Sequence, residues 1–323
     1  MTESDIHACY RLLLGREPDP GGLDYWHSAV DRMRVADLAG AFIDSREFHV
    51  GPLCARLLES VDLPQLSNAR LPTLVDLSDR VQFVDPGDNF VGKAIAESGS
   101  YEPHVSRAIL DVLRPGDTFV DVGANVGWFS LLAAARVGPS GRVLAIEADA
   151  ANVALLCRSA HQNAFTNLLA LSVAASDRAG LLVLQRLGGS NGAVFAPEGD
   201  AAPGDRYISG LPLDGLSGLL HRLDVLKVDV EGAELMVLRG AAELVQRHQP
   251  HVFFEFSPGM LGRLPGSSVA GLDQWIRGLG YRIEIVAFDG PLQPVESLDE
   301  ASRYLTERAH GHLDLKASPS GRS

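Results

Sequence analysis

Cysteine, positive charge and long apolar runs are scarce in this sequence, and each shortage argues against a class of protein. Three cysteines, Cys9, Cys54 and Cys157, are too few and too scattered for a disulfide framework or a metal cluster. The 28 lysines and arginines stand against 41 acids, a net charge of −13, which argues against a polyanionic partner such as nucleic acid. No stretch approaches the roughly 18 consecutive apolar residues of a membrane span.

The amino-terminal sequence MTESDIHACYR has no cationic segment leading into an apolar one, so we expect no secretory signal and a cytosolic location. Hydrophobic residues make up 46% of the 323 residues, which is enough to bury a core. This length suits one core of about 200 residues and a smaller unit. We expect a helical module at 1–60, a linker with edge elements at 61–97, a main domain at 98–316 and a flexible tail at 317–323.

The small module is predicted from apolar residues at helical spacing and from the turn GREPDPGG, in which prolines and glycines interrupt the helices. Tyr25, Trp26 and Phe42 are expected to close its small core. In the linker, LVDLSDRVQFV predicts a hairpin or an edge strand.

The most strongly patterned stretch is 114–149, RPGDTFVDVGANVGWFSLLAAARVGPSGRVLAIEAD. It opens with the apolar, β-branched run TFVDV, which is interrupted only by Asp121 and predicts a buried parallel strand. The chain then turns on Gly123 and Gly127, because glycine allows a sharp bend and a close approach of a ligand to the backbone.

A helix is predicted at 128–136 and a second strand at 143–146, which brings Glu147 to the tip of that strand. Glu147 follows Gly127 by 20 residues, a position from which a carboxylate can accept hydrogen bonds from both hydroxyls of a ribose. The unit of strand, glycine turn, helix and strand therefore indicates a nucleoside-binding site.

The glycines discriminate between two nucleoside cofactors. A dinucleotide site has the pattern G-x-G-x-x-G, whereas Asn125 and Trp128 stand here at the second and third glycine positions. The sequence instead reads D-x-G-x-N-x-G. An acid two residues before the first glycine suits the ammonium end of S-adenosylmethionine, which carries a sulfonium cation and no phosphate.

The block DVGANVGWFSLLAA, followed by Glu147 and by LKVDVEGAELMVLRGA at 226–241, resembles the FkbM-type family of S-adenosylmethionine-dependent O-methyltransferases. The resemblance covers roughly residues 100–315. It implies an α/β class I methyltransferase fold, Rossmann-like, with a mostly parallel seven-stranded sheet of order 3-2-1-4-5-7-6, its last strand antiparallel, and helices on both faces. It also implies O-methylation of a hydroxyl on a saccharide, glycolipid or secondary metabolite.

The string YRLLLGREPDPGGLDYW resembles a helical accessory module of bacterial extracellular and glycan-related proteins, which favours a saccharide acceptor. In the methyltransferase family the segment around 101–104 faces the cofactor, and Glu102 would bind the methionine ammonium. Ala175 stands where many methyltransferases place an acid near adenine. The predicted cofactor-binding residues are Tyr101, Glu102, Asp121, Gly123, Ala124, Asn125, Gly127, Glu147 and Ala175.

Three acids are expected to meet at the carboxyl edge of the sheet, because ligands of open parallel sheets bind there. Asp229 ends the fourth strand, Glu231 begins the loop behind it, and Glu255 lies near the end of the fifth. Asp229 is the first candidate for a general base. In the alternative, Asp229 and Glu255 hold a divalent cation such as Mg²⁺. The metal-free arrangement is favoured because no further ligand can be named.

Lys227 lies two residues before Asp229, so both side chains project to one side of the strand, and a buried ammonium needs such a partner. His104 is a possible second base. The other histidines, including His312, follow no ligand spacing and are interpreted as surface or packing residues.

Residues 180–213 depart from the alternation of strand and helix. GLLVLQRL and RYISGL predict added strands, and SNGAVFAPEGDAAPGD at 190–205 predicts a polar loop. That loop is a candidate lid over the acceptor or a plain surface insertion. A single long helix is predicted at 233–247.

Two other functions remain open on the sequence alone. A nicotinamide-dependent oxidoreductase would share the strand-turn-helix unit, although Asn125 and Trp128 disfavour it. A non-catalytic protein that keeps the fold as a cofactor-binding scaffold is the other alternative.

Overall fold

The computed structural model describes residues 6–7, 10, 17–27, 38, 41, 72–195, 206–308 and 311–321. The chain divides into two compact units, residues 1–70 and 71–323. None of the helices in the described ranges is long and apolar enough to cross a membrane.

In the first unit, the helix whose bounds the structure gives is α1 (Pro20–His27). Asp19 Oδ1 accepts a hydrogen bond from Gly22 N at 2.8 Å, and Pro20 occupies the first turn, where its missing N–H costs nothing. The predicted turn GREPDPGG therefore ends earlier than expected. Tyr25 is 68% exposed, so its predicted place in the core is wrong. Phe42 and most of the predicted module lie outside the described residues.

The second unit begins with an antiparallel hairpin, β1 (Thr73–Leu77) and β2 (Arg80–Val84). Of the hairpin and the edge strand that the sequence left open for LVDLSDRVQFV, the structure has the hairpin. Two helices follow, α2 (Val91–Ser98) and α3 (Pro103–Val112). The remaining strands are β3 (Thr118–Val122), β4 (Arg142–Glu147), β5 (Leu168–Ser172), β6 (Ala174–Ala175), β7 (Gly180–Gly188), β8 (Asn191–Phe195), β9 (Arg206–Leu211), β10 (Val225–Val228), β11 (His251–Phe256), β12 (Tyr281–Ile285), β13 (Gln293–Val295) and β14 (Leu313–Pro319).

The main sheet has the order β13-β12-β14-β11-β10-β3-β4-β5, with β14 antiparallel to both of its neighbours. The predicted order 3-2-1-4-5-7-6 is confirmed. The predicted number of seven strands is one short, because β13 pairs with β12 as an antiparallel edge. The further helices are α4 (Trp128–Val137), α5 (Ala150–Gln162), α6 (Glu234–Arg239), α7 (Ala242–His248), α8 (Pro258–Leu261), α9 (Val269–Gly278) and α10 (Leu298–Glu307), with a 3-10 helix at Leu213–Leu219.

Both faces of the main sheet are buried, which is why β3 is apolar at successive positions. Val120 and Val122 pack into a cluster with α6, α7, α9 and α10, whereas Phe119 packs into a second cluster with α2, α3 and α4. Asp121 shares the face of Phe119 because side chains alternate along a strand. Its Oδ2 accepts a hydrogen bond from Ser130 Oγ of α4 at 2.6 Å.

The insertion forms a sheet of its own with the order β6-β9-β7-β8. The two predicted added strands correspond to β7 and β9. The predicted loop at 190–205 is wrong at its start, because Asn191–Phe195 is the strand β8 and pairs with β7. The rest of that loop, 196–205, lies outside the described residues.

Two other boundaries differ from the sequence prediction. The single helix at 233–247 is broken into α6 and α7 at Gly240, where the chain passes against the backbone of Ser176. The prediction of a flexible tail from residue 317 is wrong at its start, because Ala317 is fully buried and pairs with both β11 and β12.

Replacing Gly240 by alanine tests the close approach at this break. A Cβ on Gly240 would lie 1.9 Å from the carbonyl oxygen of Ser176, so the backbone must shift and we expect a loss of about 1–3 kcal/mol in unfolding free energy. Gly278→Ala is the matched control, because no atom lies within 4 Å of its added Cβ and it sits in α9. Thermal denaturation should show a lower midpoint for Gly240→Ala alone, and equal midpoints would contradict the contact.

Candidate active site

A cavity of about 510 Å³ opens at the carboxyl ends of β3, β4, β10 and β11. The structure brings most of the sequence-predicted site residues to its wall. Those lining it are Tyr101, Glu102, Gly123, Ala124, Asn125, Glu147, Ala175, Lys227, Asp229, Glu231 and Glu255. Three predicted residues do not line it: Asp121, Gly127 and His104.

The glycine turn after β3 uses its backbone N–H groups internally. Gly123 N and Ala124 N donate to the carbonyl of Ile146 at 2.9 and 3.1 Å, and Gly127 N donates to Ala124 O at 2.8 Å. Asn125 N donates to Glu147 Oε2 at 2.8 Å, and Val126 N donates to the side chain of Asn125 at 2.7 Å. A pyrophosphate needs such donors free. The turn therefore suits a nucleoside without phosphate groups.

The two glycines of the turn serve chain packing. Gly123 has φ 77°, and a Cβ there would lie 1.7 Å from the carbonyl oxygen of Asp229. Gly127 has φ 90°, and a Cβ there would lie 2.6 Å from Leu156 of α5. Gly127 thus lets α5 pack against the turn, and its predicted contact with a ligand is not supported by its position. Gly123 lets the ends of β3 and β10 meet.

Glu147 lies at the tip of β4, as predicted from its spacing. Its Oε2 accepts from Asn125 N, and its Oε1 accepts from Asp149 N at 2.7 Å. A carboxylate has about four lone-pair positions, so the two backbone N–H groups and the Asn152 side chain still leave room for a ligand hydroxyl. Burial raises the pKa of Glu147 to about 6, although the two backbone N–H groups oppose the rise.

Besides Glu147, four carboxylates share the cavity with Lys227: Glu102, Asp229, Glu231 and Glu255. Lys227 is 4% exposed, and its Nζ lies 2.9 Å from Asp229 Oδ2 and 4.6 Å from the centre of the Phe129 ring. Burial alone would lower its pKa, but the carboxylates around it raise the pKa above the usual value. Lys227 therefore stays charged.

The acids repel one another in a confined space. Burial is the main cause that raises the pKa of Glu102 to about 8, with Asp314 and Asp229 adding to it. Burial and the charge of Asp229 raise the pKa of Glu255 to about 10. Among the described residues that line the cavity, Lys227 is the one lysine or arginine. This excess of acidic over basic side chains favours a cationic ligand.

Three of the lining residues have left-handed backbone conformations that non-glycine residues rarely adopt: Glu102 (φ 42°), Asn125 (φ 51°) and Glu231 (φ 52°). Each such residue costs about 1 kcal/mol or more. Neighbouring contacts hold them. Glu234, 2% exposed, accepts from Gly232 N at 3.0 Å and thereby fixes the loop that carries Glu231.

His104 and Asp121 lie behind the cavity wall. His104 is 5% exposed, its Nε2 lies 2.8 Å from Asp314 Oδ2, and its ring packs on Phe288. The prediction of His104 as a second base is therefore not supported by its position. Asp121 is fully buried beside Ser130, directly across from Lys227 in the neighbouring strand. It acts on the site through charge, since it helps to raise the pKa of Lys227.

Sequence reasoning missed several lining residues, which come from segments distant in the chain. His312, interpreted from the sequence as a surface or packing residue, lines the cavity. Asn191 of β8 accepts a hydrogen bond from Asn125 Nδ2 at 3.1 Å and donates to Glu231 Oε1 at 3.4 Å. Its place in the predicted loop was the available signal. Phe90, before α2, had none.

In the described part of the chain, no three His, Cys, Asp or Glu side chains converge as metal ligands. Asp229, one of the two predicted ligands, has one oxygen paired with Lys227. The cation arrangement remains a hypothesis that chelation can test.

The sheet order, the acidic cavity at its carboxyl edge and a glycine turn with no N–H group left for a phosphate define a class I methyltransferase that uses S-adenosylmethionine. The family profile described as "Methyltransferase FkbM domain" matches residues 121–283, just over half of the chain. The chain therefore belongs to the FkbM methyltransferase family. No curated protein matches it.

Solved structures are similar to this chain at low identity. An FkbM methyltransferase from Methylobacillus flagellatus KT is 17% identical over 66% of this chain and 50% of that one, with a TM-score of 0.36. A precorrin-6y C5,15-methyltransferase from Geobacter metallireducens GS-15 is 13% identical over 69% and 93%, with a TM-score of 0.38. A SAM-dependent O-methyltransferase from Thermotoga maritima is 14% identical over 78% and 86%, also with a TM-score of 0.38. Similarities this low carry no information on the acceptor.

The raised pKa of Glu102 predicts a pH-dependent stability for the ligand-free protein. The folded state holds this proton up to about pH 8, whereas an unfolded glutamate loses it near the ordinary value of 4.5. The contribution of Glu102 to the free energy of unfolding should therefore fall as pH rises from about 4.5 to about 8. Urea unfolding should show a shallower fall for Glu102→Gln. Glu307→Gln, an exposed control, should keep the wild-type slope, and an unchanged slope in Glu102→Gln would contradict the assignment.

Proposed function

We propose that this methyltransferase transfers the methyl group to a hydroxyl oxygen of a saccharide, glycolipid or secondary metabolite. The observation that carries this proposal is the lysine-paired carboxylate Asp229 in the cavity wall, with Glu231 and Glu255 sharing that wall. A hydroxyl is a poor nucleophile until a base takes its proton. An acidic edge supplies that base and also accepts hydrogen bonds from neighbouring hydroxyls.

The cofactor residues follow from chemistry and position. Glu147 is assigned to the ribose hydroxyls, and Glu102 to the methionine ammonium, for which a carboxylate in a cavity short of cations is suited. Ala175, Leu184 and Val194 offer an apolar wall for adenine. Tyr101, Gly123, Ala124 and Asn125 complete the wall around the cofactor.

S-adenosylmethionine, when bound, supplies an activated methyl group on a sulfonium. The chain then has to hold the acceptor hydroxyl in line and take its proton. We assign proton removal to Asp229, whose carboxylate is fixed by Lys227 at 2.9 Å. Glu255 and Glu231 orient the acceptor through its hydroxyl hydrogens. In the alternative arrangement, Asp229 and Glu255 bind Mg²⁺, which would lower the pKa of the hydroxyl.

Ligand-induced stabilisation tests the cofactor assignment and the nicotinamide alternative together. S-adenosylhomocysteine should raise the melting temperature, because a ligand at about 100 times its Kd adds about 2.7 kcal/mol. NAD should not, since its pyrophosphate would face carboxylates and a turn without free donors. Glu147→Gln should weaken the shift, with the exposed Glu97→Gln as control. A shift with NAD alone would contradict the assignment.

Asp229→Asn tests the base. Labelled S-adenosylmethionine and a cell extract identify the acceptor by mass spectrometry, and turnover is then measured on it. We expect Asp229→Asn to lose about 10²–10⁴-fold in kcat, as for removal of a general base, while S-adenosylhomocysteine still binds.

Chelation separates the two arrangements at Asp229. Wild-type turnover that survives EDTA excludes the cation, and turnover that EDTA stops and Mg²⁺ restores supports it. A label that appears on nitrogen or carbon would contradict O-methylation. Cofactor binding without transfer to any component of the extract would favour the non-catalytic scaffold.

A further inference from the structure

Phe90 is a large apolar side chain at the wall of the cavity, yet it is 57% exposed. It immediately precedes α2 and has no assigned part in binding the cofactor. Exposed aromatic side chains are common singly on protein surfaces, but one at the wall of a ligand cavity is a candidate contact for the ligand.

The backbone at Phe90 is fixed by a buried carboxylate. Asp88 is 3% exposed, and its Oδ1 accepts from Phe90 N at 2.9 Å. Its Oδ2 accepts from Gly92 N and from Ser190 Oγ, both at 2.7 Å. The segment before α2 is thereby tied to the turn between β7 and β8. The backbone of Phe90 is consequently held in place at the cavity wall by these hydrogen bonds.

The ring itself rests on glycine backbone. A Cβ on Gly188 would lie 3.1 Å from Phe90 Cε2, and a Cβ on Gly189 would lie 3.0 Å from Phe90 Cδ2. One edge of the ring is therefore packed against this pair of glycines. The residue is nevertheless 57% exposed, so the rest of the ring presents an apolar surface at the cavity wall before any ligand arrives.

The remainder of the cavity wall restricts the ligand that such a surface would take. Carboxylates accept hydrogen bonds from hydroxyl groups, so the wall suits a ligand with several hydroxyls. Lys227, the one lysine or arginine among the described lining residues, is already paired with Asp229. A carboxylate or phosphate on the acceptor would find no free lysine or arginine among these residues and would share the cavity with the acids.

We propose that Phe90 is an aromatic platform on which the methyl acceptor packs, and that the part of the acceptor bound there is a neutral pyranose ring. The carbon-bound hydrogens of one ring face pack on the negative face of the phenyl ring, and the ring hydroxyls donate to Glu231 and Glu255. An aromatic acceptor of a secondary-metabolite type would use the platform but offer fewer hydroxyls to the acids. This inference rests on the proposed O-methyltransferase function and narrows its acceptor.

Binding of defined pyranosides tests the platform on the full chain saturated with S-adenosylhomocysteine. The probes are the methyl pyranosides of glucose, galactose, mannose and rhamnose, with methyl glucuronide as the anionic comparator, followed by saturation-transfer NMR. We expect at least one neutral probe to receive saturation on the hydrogens of one ring face. The glucuronide should receive none.

Three variants decide the part played by Phe90. Phe90→Ala should weaken the binding of the neutral probe at least about tenfold, as for an aromatic anchor, and Phe90→Trp should keep it within about threefold. Phe288→Ala is the matched control, because Phe288 is also 57% exposed but does not line the cavity. It should bind the probe as the wild type does. S-adenosylhomocysteine should bind Phe90→Ala within about twofold of wild type.

Each contrary result overturns the platform. Three of these results concern the pyranosides: no binding of any neutral pyranoside, equal binding of the glucuronide, or wild-type binding by Phe90→Ala. The fourth is a tenfold loss of S-adenosylhomocysteine affinity in Phe90→Ala, which would mean that the ring contacts the cofactor. If S-adenosylhomocysteine binds but no pyranoside does, the proposed function survives with another acceptor. If S-adenosylhomocysteine itself fails to bind the wild type, the cofactor assignment on which the proposed function rests fails as well.

Discussion

Lys227 is the charge on which the arrangement of the cavity depends, because it lies among the carboxylates that would otherwise repel one another. It is almost fully buried in β10, opposite Asp121 of β3 and in contact with Asp229 at the end of its own strand. An unpaired ammonium at this depth would cost several kcal/mol, and so would the carboxylates without it. The pair therefore fixes the direction in which the Asp229 side chain points.

One lysine does not balance the whole cluster. The acids Glu102 and Glu255 respond with raised pKa values, about 8 and about 10 in the ligand-free protein. A cationic cofactor would restore the balance and lower those values, so cofactor binding should release protons. The left-handed backbone at Glu102 and Glu231 is a further energetic cost that the fold bears in the wall of the cavity.

The smaller sheet, β6-β9-β7-β8, adds contacts that connect separate parts of the cavity wall. Its turn between β7 and β8 is tied to the central domain by Asp88, and its Asn191 links the glycine turn to the loop of Glu231. Under the proposed assignments, one amide side chain thus joins the cofactor side and the acceptor side of the cavity. The glycines of that turn also support Phe90, so the insertion shapes the site even where it supplies no reactive group.

The sequence pattern by itself predicted the first two strands of the central sheet and the glycine turn between them, because strands buried on both faces must be apolar and both features are local in the chain. The order of the strands came from the family resemblance, and the edge strand β13 was missed. The sequence also predicted the positions of Glu147, Asp229 and Glu255 at the edge of the sheet, since a residue at a strand end is placed by the strand itself. Only the tertiary structure decided that His104 lies behind the wall, that His312 and Phe90 line it, and that Gly127 faces Leu156. Those positions depend on how elements distant in sequence pack, and no local pattern of residue types encodes that packing.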